Sequence, residues 1–257
     1  MSAYDLHCHI LPAIDDGPER AEEAFAMAQV AATDGISVVV ATPHARQVAA
    51  HGGRRALDQW VADFNRTSRG LGIEVLVGAE HLLTMDLIDD VRRGIAITLN
   101  NSRYLLVEIN FLQYPPYISE ALFQIQVRGM VPVLAHPERQ ATIQKQPDIL
   151  ADLVECGVVS QVTGGSLLGH FGPEAQRSAE YLVQHNLIHA IASDGHSPGS
   201  YRPPVLFEAA RAVEDLVGMA GARLLTEQNP QAIVSDGTVR LPEAQPARRI
   251  LSWPGQR

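Results

Sequence analysis

Seven short apolar runs, separated by stretches of helical character, recur along the 257-residue chain. They are residues 3–9 (AYDLHCH), 36–44 (ISVVVATPH), 73–80 (IEVLVGAE), 104–110 (YLLVEIN), 131–136 (VPVLAH), 158–163 (VVSQVT) and 188–194 (IHAIASD). Runs this rich in Val and Ile, with little polar alternation, read as strands covered on both faces. Helix-like stretches such as 20–34 and 174–186 lie between them. Gly35, Gly72, Gly129 and Gly157 each fall shortly before a run, where a helix should stop. Strands alternating with helices imply a parallel sheet of the α/β class.

Six of the seven runs end in, or are closely followed by, a residue able to bind metal or activate water, which packing alone does not explain. In a barrel the C-terminal ends of parallel strands converge on one face, whereas an open sheet spreads them along a line. The expectation is therefore a closed or nearly closed (β/α)7 barrel in one domain, residues 1–237. A tail follows at 238–257, Pro-rich from Pro242 onward and expected to pack loosely or stay disordered.

The formal charge of −9 argues against a nucleic-acid groove. It leaves room for an anionic substrate, because metal ions can reverse the local sign. No run of about 18 apolar residues suggests a spanning helix. The N-terminus lacks a basic segment followed by an apolar one, and Cys8 and Cys156 make no disulfide framework, so the expected location is cytoplasmic.

The first run ends in His7-Cys8-His9. Side chains two apart on a strand share a side, so both imidazoles can face one ion, with Cys8 turned into the core. Asp15-Asp16-Gly17 follows; Asp16 is the expected ligand and Asp15 the residue that orients the loop. Alone, a His-x-His pair is as compatible with two surface histidines. The other strand ends change that: His44 after VVVATP, Glu80 after VLVGA, Glu108 after YLLV, His136 after VPVLA, and Asp194 and His196 in AIASDGH. A carboxylate at a buried strand end is costly unless a cation or donors neutralise it, and no Lys lies near any of these positions. Mixed imidazole and carboxylate donors suit Zn, Mn or Fe.

Nine ligands are too many for one ion. Their four carboxylates carry about four negative charges, so three divalent ions would leave about two positive charges to attract a dianionic phosphate. A water bridging such ions would have its pKa lowered toward neutrality and could attack phosphorus in line. Arg139 in AHPER and Arg202 in SDGHSPGSYRPP are placed to grip phosphate oxygens, with Arg46 a further candidate beyond His44. The competing reading of Arg139 is a salt bridge to Glu138. His51, His81, His170, His185 and His189 are out of phase with the strand ends and are expected on the surface or in packing. Neither cysteine begins a C-x5-R loop, so a cysteine phosphatase mechanism is rejected. Ser166, in the Gly-rich stretch TGGSLLGHFG, is a weak candidate for substrate contact.

In order along the chain, DLHCHILPAIDDGP, ATPH, GAE, LVE, AHPER, QVTGGSLLGHFG and ASDGH resemble the polymerase-and-histidinol-phosphatase (PHP) superfamily. Within it they most resemble the CpsB/YwqE type, bacterial protein-tyrosine phosphatases of capsule and exopolysaccharide operons. The similarity runs from about residue 4 to NPQAIV at 229–234. It implies a distorted (β/α)7 barrel and a trinuclear centre of manganese, iron or zinc. By that analogy one ion takes His7, His9, Glu80 and Asp194. A second shares Glu80 and adds Glu108 and His136, and a third takes Asp16, His44 and His196. Arg139 and Arg202 match phosphate-holding arginines. Two departures concern substrate contacts: TPHARQVAAHGGRR lacks a second histidine often found there, and the tail past residue 235 is extra.

A tyrosyl phosphate releases a phenol of pKa about 10, so weak acid assistance suffices, and no spare acid at a strand end is visible. The expected activity is removal of phosphate from protein phosphotyrosine. The substrate implied by the resemblance is the tyrosine-rich tail of a membrane-associated kinase that drives polysaccharide export. Two alternatives from the same residues are a histidinol-phosphate or other small-molecule phosphatase and a non-catalytic phosphotyrosine-binding module. A nuclease is disfavoured by the acidic charge.

Overall fold

The computed structural model describes residues 3–199 and 202–242, so most of the tail from Pro242 onward lies outside the described residues. The Val- and Ile-rich runs form β1 (Ala3–Cys8), β2 (Ile36–Ala41), β3 (Glu74–Val77), β4 (His81–Leu82), β5 (Tyr104–Glu108), β6 (Val131–Ala135), β7 (Val159–Thr163) and β8 (Ala190–Ala192). Every ladder is parallel. Helices connect most of the strands. The first, Ala21–Asp34, stops where Gly35 takes φ 92°, a left-handed conformation that costs glycine nothing.

The strands fall into two sheets, β1-β2-β3 and β4-β5-β6-β7-β8. The third apolar run, expected as one strand over 73–80, yields only β3, which pairs with β2; a further short strand not expected from the sequence, β4, follows directly and pairs with β5. The break follows Gly78, whose backbone runs so close to β2 that a Cβ there would meet Val40 Cγ1 at 2.7 Å. Leaving one ladder for the next, the chain turns Glu80 into the space between them.

Bridges rather than ladders join the two sheets. At one seam His44 pairs with Glu80 and at the other Cys8 pairs with Gly195. Asp194 N donates to His7 O and His9 N to Gly195 O, both at 2.8 Å. Below that second seam the Asp5 carboxylate accepts from Ser193 N at 2.9 Å and from Ser193 Oγ at 2.5 Å. The result is a distorted parallel barrel, tied at the strands' C-terminal ends.

Leu6, Val40, Tyr104, Leu106, Val133, Val159 and Ala190 meet in an inner cluster drawn from six strands, with Ile233 and Val234 packed against it. A second cluster packs the barrel wall against the helices. Each fully buried Leu or Val contributes about 1.5–3 kcal/mol of transfer free energy. The pairing of β1 with β2 steps from Asp5–Val39 to Cys8–Ala41, three residues against two. This bulge lets Leu6 enter the inner cluster while the next residue, His7, also faces inward at the rim. The body extends past Val234: Arg240 N donates to Asn229 Oδ1 at 3.0 Å, and Val239 packs on the inner cluster.

Candidate metal centre

All nine strand-end candidates come together at the C-terminal rim. Glu80, 2% exposed, sits among four imidazoles. Its Oε1 lies 3.0 Å from His136 Nε2 and 3.3 Å from His7 Nε2, and its Oε2 lies 3.1 Å from His44 Nδ1 and 3.5 Å from His9 Nε2. Glu108, at the end of β5, stands 4.0 Å from both His44 Nδ1 and His136 Nε2. Asp194 Oδ1 is 3.5 Å from His7 Nε2. On the outer side Asp16 Oδ1 lies 3.4 Å from His44 Nε2 and 3.3 Å from His196 Nε2.

Four overlapping groups of donor atoms lie within 4.8 Å of one another: His9, Asp15, Asp16 and His44; His7, His9 and Asp194; His7, Glu80 and His136; and His44, Glu80 and Glu108. The rings of His7 and His9 are held by their outer nitrogens. His7 Nδ1–H donates to Gln161 Oε1 at 3.0 Å, and His9 Nδ1–H donates to Asp15 Oδ2 at 2.7 Å. Both Nε2 atoms are thereby turned inward, 3.3 Å apart. Two ring nitrogens with facing lone pairs repel unless a cation lies between them, so this donor set fits divalent transition metals. Asp15 also accepts from His44 N and Gly17 N, which makes it the orienting residue of its loop.

The charges tell the same story. Burial disfavours protonation of His9, yet the Asp15 and Glu80 carboxylates outweigh it and lift the ring to about 9. Burial likewise opposes protonation of His44, but Asp16, Glu80 and Glu108 raise it to about 11. Burial pushes Asp194 up, while His7 and Arg202 bring it down to about 2. Glu108 is raised, first by burial and then by the charge of Glu80. Burial holds His196 below its ordinary value, so the raising is not shared by every ring. At His9 and His44 it comes from the Asp15, Asp16, Glu80 and Glu108 carboxylates, whose charge a metal would offset while displacing those protons. Local backbone conformation follows suit: His136, Asp194 and Arg202 take positive φ of 35°, 54° and 53°.

Both arginines converge on one carboxylate. Arg139 Nη1 donates to Asp194 Oδ2 at 3.0 Å, and Arg202 Nη2 lies 2.5 Å from Asp194 Oδ1. The alternative pairing of Arg139 with Glu138 does not form. Glu138 is fully buried and faces the end of β7 and the short helix Gly164–Leu167, where its Oε1 accepts from Thr163 N at 3.1 Å and Ser166 Oγ at 2.7 Å. Ser166 is therefore a buried anchor rather than a substrate contact. Arg46 is exposed on the helix Ala45–Ala50, and among the described residues no ion pair holds it.

Of the other histidines, His81 and His189 are buried in packing, His51 and His170 are exposed, and His185 is half-buried. Sequence reasoning missed Asp5 and Gln161, although each is a polar residue inside an apolar run, where burial obliges it to find a partner. It also missed Phe111 and Phe171, which flank Arg139. Only the Gly-rich setting of Phe171 hinted at a special turn.

A sequence profile of the capsular polysaccharide synthesis family CpsB/CapC matches residues 3–235. The chain belongs to the CpsB/CapC family. Among its relatives, the tyrosine-protein phosphatase YwqE of Bacillus subtilis is 34% identical over 95% of this chain and 96% of that protein. The tyrosine-protein phosphatase CpsB of Streptococcus agalactiae is 27% identical over 90% of this chain and 98% of its own. The fold agrees with a crystal structure from work on YwqE of Bacillus subtilis and CpsB of Streptococcus pneumoniae, described as unique metal-dependent tyrosine phosphatases. That match has a TM-score of 0.88 and 33% identity, and covers 96% of this chain and all of the other. A lactonase from Listeria monocytogenes, at 13% identity and a TM-score of 0.55, shares the fold alone. Recognition of this CpsB/CapC member from its ordered motifs and the expected α/β barrel are thus both upheld.

Proposed function

We propose that this CpsB/CapC member is a metal-dependent protein-tyrosine phosphatase. The observation that carries the reading is the convergence of His7, His9, Asp16, His44, Glu80, Glu108, His136, Asp194 and His196 beside two arginines that share Asp194. Those nine residues would hold two or three divalent ions, with manganese favoured and iron or zinc as alternatives. When bound, the ions supply Lewis acidity that activates water and offsets phosphoryl charge.

The protein's own groups do the rest. Gln161 and Asp15 fix the ring orientation of His7 and His9. Arg139 and Arg202 are the phosphate grip. Their donors engage Asp194, and substrate oxygens compete for them as charge develops on the phosphoryl group. Arg202 Nε, buried and without a hydrogen-bond partner among the described residues, is one further donor. Arg46, on the rim, meets the substrate outside the phosphoryl pocket. The leaving phenolate is a weak enough base to depart with little acid assistance.

The proposed substrate is the phosphotyrosine tail of a membrane-associated tyrosine kinase, met in the cytoplasm. The family's role in capsular polysaccharide synthesis supports this context. No helix among the described residues is long and apolar enough to cross a membrane. The deciding experiment strips metal by chelation, adds ions back singly, and compares a phosphotyrosine peptide with phosphoserine and histidinol phosphate. Preference for histidinol phosphate would reject the tyrosine reading, and binding of the peptide without turnover would reject catalysis.

A further inference from the structure

Arg139 lies between two aromatic rings. Its guanidinium carbon is 4.3 Å from the centroid of Phe111 and 4.2 Å from that of Phe171. The Phe171 ring also lies 5.9 Å from the guanidinium carbon of Arg202. Phe111 in turn stands against the candidate ligand His136, ring centroids 5.1 Å apart. The two rings come from different parts of the fold. Phe111 follows β5, with its carbonyl accepting from Ala141 N at 2.8 Å. Phe171 sits in the turn after Leu167, between Gly169 and Gly172, which take φ of 79° and 89°. Gly165 leaves it room, since a Cβ there would come within 3.0 Å of Phe171 Cε2.

We propose that Phe111 and Phe171 are positioning residues that hold the Arg139 guanidinium in a slot and aim its donor edge at the phosphoryl group; the proposal rests on the phosphatase reading above. The physical case is geometric. A guanidinium donates only in its own plane, through five N–H bonds, and attracts rings through its faces. Two rings this close, carried by different parts of the fold, restrict the rotations that would take the donors away from the centre. Arg139 Nη1 is already committed to Asp194. Its remaining in-plane donors are the ones the slot can present to phosphate. A guanidinium fixed before substrate arrives loses less freedom on binding, so the rings act on phosphate affinity and on transition-state stabilisation together. This also gives the Gly-rich stretch TGGSLLGHFG a function: it carries an aromatic ring to an arginine rather than a backbone to a phosphate.

The test uses the full-length, metal-loaded protein and Phe111→Leu, Phe171→Leu, the double variant, and the Tyr replacements at both positions. Leucine fills similar space without a π face, whereas tyrosine keeps the ring. Metal content, inorganic phosphate binding by calorimetry, and kcat and KM for a phosphotyrosine peptide are measured. The double Leu variant should keep its metals, bind phosphate about tenfold more weakly and lose at least as much in kcat/KM, the scale of removing a cation–π attraction from each face. The Tyr variants should stay within about twofold of wild type. Each single Leu variant carries the test alone if the double variant does not fold. Unchanged phosphate binding in folded Leu variants would overturn the slot, as would loss of metal along with phosphate, which would make the rings mere packing for His136. Failure of the phosphatase reading is separate: it would appear as wild-type protein that does not cleave the peptide.

Discussion

Gln161 Oε1 accepts a hydrogen bond from His7 Nδ1 at 3.0 Å, linking β7 to β1 past the intervening β8. This single bond decides which nitrogen of His7 faces the centre. Gln161→Leu should lower metal affinity about 10- to 100-fold, the usual scale for losing an outer partner of a ligating histidine. Titration with a competing chelator checks this, and wild-type affinity would show that the ring is held by packing alone.

Grip and metal binding should separate by mutation. Arg139→Ala should leave metal occupancy near wild type and lower turnover by about two orders of magnitude. Arg139→Lys should recover only part of the rate, because an ammonium lacks the planar fork. His136→Ala should lose metal as well as activity. Elemental analysis beside peptide turnover distinguishes the cases.

Chelation should abolish turnover, and Mn²⁺ should restore it better than Mg²⁺, since the site offers five imidazoles and magnesium prefers oxygen. Full activity in verified metal-free protein would refute the metal-dependent mechanism.

His189 offers a stability test away from the centre. Burial holds its ring at about 4 rather than the usual 6.5. Between those values the unfolded chain binds a proton that the folded chain refuses. The associated stability is therefore intact above pH 6.5 and is lost as pH falls through the window. From pH 7 to pH 5 the loss from this group is about 2 kcal/mol. His189→Asn keeps an acceptor near Ser160 N, which His189 Nδ1 meets at 3.2 Å. Urea midpoints of this variant should fall less between pH 7 and pH 5 than those of wild type, and equal falls would assign the acid sensitivity elsewhere.

The strand runs were readable in sequence because hydrophobic continuity is a local signal. The ligand candidates were readable because a carboxylate or imidazole at a buried strand end is costly to keep there without a cation or a donor beside it. What stayed hidden depends on partners far along the chain. The extra strand after the third run reflects a change of neighbour from β2 to β5, and nothing within VLVGAEHL announces it beyond Gly78. The bulge that turns both Leu6 and His7 inward breaks the strict alternation a strand suggests. Arg139 has an acid one residue away in Glu138, yet it pairs with Asp194, 55 positions on. Backbone direction decided that choice, and spacing does not encode it.

The seam between Asp5 and Ser193 joins residues 188 positions apart, and it brings His7 and His9 to Asp194 and His196. On a ribosome those halves emerge on the order of ten to forty seconds apart. The centre is therefore completed late, and a nascent chain stalled before β8 would carry seven of the nine candidate ligands without Asp194 and His196 to close the rim. A copy ended before β8 lacks Asp194 and His196, and with them one side of the candidate centre.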